Sequence, residues 1–256
     1  AASDVYKRQS HARAAILSME ARFKKKEGNS NYRLIDPDDE SDYRSAQLFD
    51  DNVACICRES AFAFYEKVVL EFKKMYETAG IKLKQFSLGA DELPYGVWTA
   101  SPLCNSYMKK HQLENTLELY NHALKRIKNI FDQQHIIMAG WEDFLLAHSE
   151  KSQEETQIKE EQFDKEVIPY VWNNIWGEGR EDMIYKFANS GFKTVMSNSA
   201  AFYFDMTDDR DFENYGLNWS GYVNYKDSWA TDPEDVFNNA YLNKKNNISQ
   251  TYISQK

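Results

Sequence analysis

The apolar and polar positions of this chain follow two alternating patterns. Four segments have the apolar spacing or the end signals of helices, and we predict helices at residues 10–26, 60–80, 113–131 and 182–190. Four short apolar runs are predicted to be strands, at residues 85–88, 135–139, 167–175 and 192–197. Helix, strand and loop therefore recur in order, which is typical of an α/β protein.

Acidic and aromatic residues follow the predicted strands. Asp91 and Glu92 come after the first strand, behind Gly89 and Ala90, and Trp141 comes after the second. In barrels of alternating strands and helices, the loops at the carboxyl ends of the strands carry the functional groups. We therefore expect a ligand site along one rim, with the two acids at its centre. The layout predicts part of a (β/α)8 TIM barrel, with four strand units visible in the sequence.

Two polar segments interrupt this pattern. Residues 28–51 are acidic, but they lack the ligand spacing and the central glycine of an EF-hand, and we predict a solvated insertion. Residues 147–165 are rich in Glu, Gln and Lys with little apolar periodicity, and we predict an exposed helix or a mobile insertion. The second segment is expected to carry no chemistry.

Charge and hydropathy exclude several classes of partner. The net charge is −9, the pI is near 5.2 and the basic run at residues 24–26 is short, so no nucleic-acid partner is expected. No apolar run approaches the roughly 18 residues of a membrane span. The aromatic content of 14% suits a protein that stacks on sugar rings, although large cores also use aromatic residues.

Residues 1–9 fit neither a targeting segment nor the following helix, and we interpret them as a remnant of cloning or sequence assembly.

The three cysteines, Cys55, Cys57 and Cys104, cannot all pair within the chain. Their spacing matches no zinc-binding pattern, because a C-x-C pair without nearby histidines is poor evidence for a metal site. Free buried thiols are the default interpretation. We predict neither a metal ion nor an organic cofactor.

Four short motifs occur in an order that resembles one enzyme family. The motifs are Gly89-Ala90-Asp91-Glu92, Gly140-Trp141-Glu142-Asp143, Val171-Trp172-Asn173-Asn174 and Tyr203-Phe204-Asp205-Met206. Together they resemble glycoside hydrolase family 20, the β-N-acetylhexosaminidases, and most closely its bacterial chitobiase-like branch. The resemblance extends from residue 11 to about residue 219, which is most of the chain.

This resemblance implies a fold and a location for the protein. Residues 10–243 would form strands four to seven of a TIM barrel with their helices, and residues 244–256 would be a truncated C-terminal segment. The chain would then be a fragment of a catalytic domain, and we expect it to be poorly folded or inactive by itself. Members of this branch are exported, which implies a secreted or periplasmic protein. Cys57 and Cys104 resemble cysteines that exported chitobiases pair in a disulfide.

The resemblance also implies a reaction, the removal of terminal non-reducing β-linked N-acetylglucosamine or N-acetylgalactosamine from chitin oligosaccharides or glycans. The sugar's own 2-acetamido oxygen would be the nucleophile. Glu92 would be the general acid and base, Asp91 would stabilise the charged acetamido group, and Tyr203 would orient it. The remaining implied site residues are His11, which would support Glu92, the pocket residues Trp141, Trp172 and Trp219, and the sugar-contacting Asp205.

Simpler readings stay open for each of these residues. Asp91 and Glu92 could cap the next turn, the tryptophans could be core residues, and Tyr203 could pack between helices. A second enzyme reading is a barrel glycosidase with two protein carboxylates, such as Glu92 with Glu142. A reading from another class is a non-catalytic or degenerate barrel fragment that binds sugar without cleaving it.

Overall fold

The computed structural model describes residues 13–25, 32–147, 157–209, 211 and 213–237. These residues form two compact units, one with the described residues up to Phe144 and one with those from Leu145 onwards. Within the described ranges, no helix is long and apolar enough to cross a membrane. The predictions for residues 1–9, for His11 and for residues 244–256 lie outside the described residues.

The first unit alternates helices with two parallel strands. Its elements in chain order are α1 (Arg13–Lys24), α2 (Glu59–Thr78), β1 (Gln85–Ser87), α3 (Pro102–His111), α4 (Thr116–Gln134) and β2 (Ile137–Trp141), and a 3-10 helix follows at Glu142–Leu145. Strands β1 and β2 pair in parallel, with Gln85 opposite Ile137 and Ser87 opposite Ala139. The predicted helix–strand order is therefore present in this unit.

Aromatic rings form the packing between the helices and β1. The ring of Phe86 on β1 lies 5.2 Å from Phe72 of α2 and 6.3 Å from Phe131 of α4, measured between centroids. Phe131 is fully buried, and burying such a side chain contributes roughly 1.5–3 kcal/mol. Met75, which the apolar spacing places on the buried face of α2, is 63% exposed.

Helix α3 is absent from the predicted elements, although its start has a recognisable sequence. The side chain of Ser101 accepts a hydrogen bond from the Cys104 amide, and Pro102 occupies the first helical turn. A serine cap followed by proline is a strong helix start, because the cap satisfies an amide that the helix leaves open and proline has no amide to satisfy. The apolar spacing is too weak over ten residues to reveal the helix by itself.

The second unit contains shorter elements. They are β3 (Ile168–Val171), α5 (Met183–Asn189), β4 (Val195–Met196), α6 (Ser199–Phe202) and α7 (Tyr225–Trp229). Strands β3 and β4 pair in parallel through Tyr170 with Val195 and Val171 with Met196. The predicted strands extend further than the observed ones, because the chain leaves the ladder where the amide of Ser199 bonds the carbonyl of Trp172. Of the predicted segment 147–165, residues 148–156 lie outside the described ranges, and Ile158 forms an antiparallel bridge with Leu146.

The acidic segment before α2 is folded onto the loop that precedes α3. Asp36 accepts hydrogen bonds from Ser101 Oγ (2.6 Å) and from the Leu103 amide (3.1 Å). Burial by itself would raise the pKa of Asp36, but these hydrogen bonds, with that of the Asp38 amide and the charge of Arg58, hold the pKa below its ordinary value. The Ser41 hydroxyl accepts from the Ala100 amide at 2.9 Å.

The residues between this segment and α2 are attached to the same region. The Trp98 indole donates to the Ala54 carbonyl at 3.1 Å, and Cys57 forms a disulfide with Cys104 over a Cα–Cα distance of 5.3 Å. Of the described residues 32–51 only Leu34 and Ser45 are buried, so the segment is largely solvated, but the prediction missed its attachment to the loop before α3. The segment's short polar side chains bond backbone and side-chain groups near α3, and a local composition analysis cannot reveal those partners.

Candidate active site

The two candidate acids lie in a tight loop directly after β1. Gly89, Ala90 and Glu92 have positive φ angles of 79°, 67° and 48°. Only glycine adopts this region freely, so the two non-glycine residues are held there by the surrounding structure. The strand has therefore ended before Asp91, and the rule that neighbouring strand residues face opposite sides does not apply to Asp91 and Glu92.

Backbone hydrogen bonds attach this loop to its neighbours. The Leu88 amide donates to the Ala139 carbonyl at 2.7 Å, and the Trp141 amide donates to the Gly89 carbonyl at 2.9 Å. The hydroxyl of Tyr120 on α4 lies 3.5 Å from the Ala90 carbonyl. The parallel pair thus continues into the loop and brings Trp141 beside the segment that carries the acids.

The burial of these side chains differs in a way that bears on their roles. Asp91 and Glu92 are half-buried, and the Oδ1 atom of Asp91 is shielded from solvent. Trp141 is 4% exposed, and Glu142 in the following 3-10 helix is fully buried. Glu142 is therefore not presented at the surface of this unit, unlike Glu92.

A glutamine that the sequence analysis missed contacts one of the acids. The side-chain amide of Gln47 donates a hydrogen bond to Glu92 Oε2 at 3.0 Å. These residues are 45 positions apart, and Gln47 belongs to the segment predicted to be a solvated insertion. No local signal marks this contact, because it depends on how the segment folds back onto the acidic loop.

Three aromatic side chains form one cluster in the second unit. The rings of Trp172 and Tyr203 are stacked, with centroids 6.4 Å apart and an interplanar angle of 13°. Trp219 meets Trp172 edge-on at 5.9 Å and Tyr203 edge-on at 5.7 Å. Trp172 directly follows β3, and Tyr203 directly follows α6. The structure therefore brings together two of the predicted pocket residues, Trp172 and Trp219, and Tyr203, which was predicted to orient the acetamido group.

Backbone pairing fixes the third member of this cluster. The Leu217 amide donates to the Asp205 carbonyl at 2.7 Å, and the Thr207 amide donates to the Leu217 carbonyl at 2.7 Å. This short parallel bridge holds residue 219 near the loop that carries Tyr203. The side chain of Asp205 is exposed at the same loop, where it is accessible to a ligand.

The cysteines form a buried sulfur cluster. The Sγ atoms of Cys55, Cys57 and Cys104 all lie within 4.8 Å of one another, and Cys55 Sγ is 3.7 Å from Cys104 Sγ. Burial raises the pKa of the Cys55 thiol to about 11, because a dry site disfavours the thiolate. Since the other two sulfurs are bonded to each other, the oxidised cluster offers one thiol, which is too few for a thiolate metal site.

Each unit offers its own chemical groups. The loop after β1 in the first unit carries two neighbouring carboxyl groups, a residue type that can donate a proton or hold a fixed negative charge. The aromatic cluster of the second unit carries flat apolar faces and a phenol hydroxyl. The eighth expected site residue, His11, lies outside the described residues.

Comparison with known proteins identifies the family. Residues 9–252 match the model described as glycosyl hydrolase family 20, catalytic domain. A β-hexosaminidase from Vibrio vulnificus is 32% identical over 238 residues, which cover 88% of this chain and 27% of that protein. β-Hexosaminidase B from Pseudoalteromonas piscicida is 27% identical over 251 residues, which cover 95% of this chain and 30% of that protein.

A solved structure agrees with this assignment. The exo β-N-acetylglucosaminidase from Vibrio harveyi, crystallised in complex with N-acetylglucosamine, matches with a TM-score of 0.64 and 26% identity. The match covers 78% of this chain and 28% of that protein. The chain thus spans less than a third of the length of the relatives it matches. Because the family match covers nearly all of its residues, the chain belongs to glycosyl hydrolase family 20.

Proposed function

We propose that the protein containing this chain hydrolyses terminal non-reducing β-linked N-acetylhexosamine residues of chitin oligosaccharides or glycans. The observation that carries the proposal is the loop after β1, where the strained backbone of Ala90 and Glu92 presents two half-buried carboxylates. Strain of this kind persists only where the surrounding structure maintains it, and it is concentrated at functional sites. Membership of the family supplies the reaction class.

Glu92 is the general acid and base in this proposal. Its carboxyl group protonates the leaving glycosidic oxygen, and the resulting carboxylate then removes a proton from the attacking water. Asp91 remains ionised and accepts a hydrogen bond from the acetamido N–H of the substrate, which stabilises the positive charge that develops on the ring. The acetamido oxygen is the nucleophile, so the two carboxylates need not lie on opposite sides of the scissile bond.

The aromatic cluster of the second unit binds the acetamido group. Tyr203 donates its hydroxyl hydrogen bond to the acetamido oxygen and holds that oxygen in line with the anomeric carbon. Trp172 and Trp219 enclose the acetamido methyl, and their mutual contacts at 5.9 Å support a preformed pocket. Trp141 contributes a further wall, Asp205 contacts sugar hydroxyls, and His11 supports the orientation of Glu92.

The position of the chain in the fold is also proposed. The four strands correspond to strands four to seven of an eight-stranded barrel, and the parallel pairings β1–β2 and β3–β4 support this order. The partner is an oligosaccharide that ends in N-acetylhexosamine. Export to the periplasm or the medium suits such a substrate, because chitin is outside the cell.

A glycosidase with two protein carboxylates is the competing mechanism. Its second carboxylate would be Glu142, whose complete burial does not favour a role in contact with substrate. Thiazoline inhibitors separate the two mechanisms, because they mimic the oxazolinium intermediate that forms only with acetamido participation. We expect tight thiazoline binding, and weak binding would favour the two-carboxylate mechanism.

The decisive experiment replaces the proposed acid. In the complete enzyme, Glu92→Gln should lower kcat on chitobiose by about 10²–10⁴-fold while the sugar still binds, because an amide cannot donate the required proton. The matched control is Glu118→Gln on the first turn of α4, whose carboxylate accepts from the Glu114 amide, and it should leave kcat unchanged. Retained turnover in Glu92→Gln would remove Glu92 as the acid. Binding without any turnover in the wild type would instead identify a sugar-binding protein.

A further inference from the structure

Gln47 lies at the tip of a tight turn that one buried serine organises. The Ser45 amide donates to the Phe49 carbonyl, and the Leu48 amide donates to the Ser45 carbonyl, both at 2.8 Å. The Ser45 hydroxyl accepts from the Phe49 amide at 3.1 Å, and Ser45 is only 3% exposed. Leu48 completes the turn with a φ of 64°. The backbone around Gln47 is therefore fixed although its side chain is exposed.

This turn is fixed relative to the acidic loop as well. A Cβ on Gly96 would lie 2.5 Å from the carbonyl oxygen of Asp42, so the two backbones are in direct contact. The Ser41–Ala100 and Asp36–Ser101 hydrogen bonds continue the attachment further along the same two segments. Gly96 and Ala100 follow Glu92 by a few residues in the chain. The distance between Gln47 and Glu92 is thus set by the packing of these segments.

We propose that Gln47 is a positioning residue that holds Glu92 Oε2, so that the catalytic proton resides on the other oxygen, Oε1. The side-chain amide of Gln47 donates to Oε2 at 3.0 Å. An ionised carboxylate accepts this bond through either oxygen, and a protonated carboxyl accepts it through its carbonyl oxygen. The contact therefore persists through the catalytic cycle and selects which oxygen carries the proton.

The proton path follows from this selection. In the first step Oε1–H of Glu92 gives its proton to the glycosidic oxygen as the bond to the anomeric carbon breaks. In the second step Oε1 takes a proton from the water that attacks the oxazolinium, which restores the starting state. Gln47 neither gains nor loses a proton in either step. It limits the rotation of the carboxyl group, and proton transfer is sensitive to such geometry.

This inference rests on the proposed function, and the test separates the two. The variant is Gln47→Leu in the complete enzyme, which removes the donor and keeps the approximate side-chain size. Two substrates are compared, the 4-nitrophenyl N-acetylglucosaminide, whose leaving group needs little protonation, and chitobiose, whose sugar leaving group needs full protonation. We expect kcat/KM to fall by about ten-fold on chitobiose and by no more than about two-fold on the nitrophenyl substrate.

Two further variants complete the experiment. Gln133→Leu, at an exposed glutamine on the outer side of α4, is the matched control and should behave as the wild type on both substrates. Gln47→Glu keeps the side-chain shape but introduces a second carboxylate beside Glu92 and Asp91. It should move the alkaline limb of the kcat/KM profile to higher pH, because like charges favour retention of the proton. The added charge acts through the contact at 3.0 Å, so an unmoved limb would show that residue 47 does not meet Glu92 in the active enzyme.

The outcomes separate the role of Gln47 from the proposed function on which it rests. An equal loss of kcat/KM on both substrates in Gln47→Leu overturns the role of Gln47. The role is also overturned if neither substrate shows a loss and the alkaline limb of Gln47→Glu does not move. If Glu92→Gln is inactive in the same assays, the proposed function still stands after such a result. If the wild-type enzyme releases no N-acetylglucosamine from either substrate, the proposed function fails first and the inference fails with it. Should Gln47→Leu be unstable, an unmoved alkaline limb in Gln47→Glu still overturns the inference.

Discussion

A Cβ placed on Gly140 would lie 3.1 Å from the carbonyl oxygen of Gly89, across the gap between β2 and the acidic loop. It would also lie 3.1 Å from Leu88 Cγ and from Phe144 Cδ1. Three neighbours at this distance leave no direction in which a methyl group fits without displacement. The absence of a side chain at Gly140 therefore allows the close approach that holds the loop carrying Asp91 and Glu92.

The first prediction concerns the close packing of Gly140 against the Gly89 backbone. Gly140→Ala should shift the Gly89 backbone by a few tenths of an ångström and lower kcat, with a loss of stability of about 1–3 kcal/mol from overpacking. The control is Gly191→Ala, where the added Cβ meets only Lys165 Cγ at 4.0 Å but the backbone has a φ of 87°. That control should lose about 1 kcal/mol of stability through strain and keep its activity. Steady-state kinetics measure kcat, and thermal unfolding measures the stability of the two variants. An unchanged kcat in Gly140→Ala would contradict the prediction.

The second prediction tests the fixed charge. Asp91→Asn should lower kcat on N-acetylglucosaminides by about 10²-fold and weaken thiazoline binding, because a neutral amide stabilises the developing positive charge less well. The control is Asp132→Asn on α4, which removes a helix-surface ion pair with Lys128 and should have no effect on kcat. An unaltered rate in Asp91→Asn would argue against its role.

The third prediction separates the hydroxyl of Tyr203 from its ring. Tyr203→Phe keeps the stacking on Trp172, so the unfolding free energy should change by less than about 1 kcal/mol, whereas kcat should fall by roughly 10–100-fold through loss of the donor. Tyr215→Phe is the control, because that ring is 99% exposed and its hydroxyl lies outside the cluster. A large loss of stability with unchanged kcat would assign Tyr203 to packing alone.

The fourth prediction concerns pH. His122 on α4 lies in a cluster where its Nε2 is 3.2 Å from the Tyr107 hydroxyl and its ring centroid is 5.2 Å from that of His111. Burial, together with the nearby His111 and Arg126, lowers the pKa of His122 below its ordinary value of 6.5. As the pH falls, His122 therefore takes up its proton in the unfolded chain before it does so in the folded protein. The contribution of neutral His122 to the free energy of unfolding is complete above pH 6.5 and is lost as the pH falls through the lowered pKa.

The measurement is the melting temperature between pH 8 and pH 5. The wild type should lose more stability over this interval than His122→Gln, which does not titrate there. Arg126 keeps its charge and its pair with Glu59 in both proteins, so the difference isolates the histidine. Parallel curves for the two proteins would exclude this source of pH dependence.

The fifth prediction concerns the sulfur cluster. Cys55 is 2% exposed and its pKa is raised to about 11 by burial, so it should resist alkylation at pH 8 in the native state. Mass spectrometry should find one modified cysteine after denaturation without reductant, and three after reduction. Alkylation of Cys57 or Cys104 without reductant would contradict the disulfide.

The acidic segment illustrates which contacts the sequence did not reveal. Its composition is that of a solvated insertion, yet Asp36 and Ser41 bond groups around residues 100–103. Composition describes the preference of each residue for water, but a carboxylate is equally satisfied by a serine hydroxyl and a backbone amide. The attachment to α3, and with it the contact of Gln47 with Glu92, is therefore a consequence of tertiary packing.

The sequence by itself determined the four strands, the helices α1, α2, α4 and α5, and the place of Asp91 and Glu92 just after β1, but not the short helices α3, α6 and α7. Helical spacing, end signals and short apolar runs are local properties, since they follow from hydrogen bonds within a few residues and from which faces avoid water. The motif around Asp91 and Glu92 was readable for the same reason, because its residues are contiguous.

Only the tertiary structure decided which distant groups meet. The positive φ at Glu92, the contact with Gln47, and the stacking of Trp172 on Tyr203 with Trp219 at their edges depend on packing between segments far apart in the chain. Such contacts form when many weak interactions are satisfied together, and no window of adjacent residues contains that information.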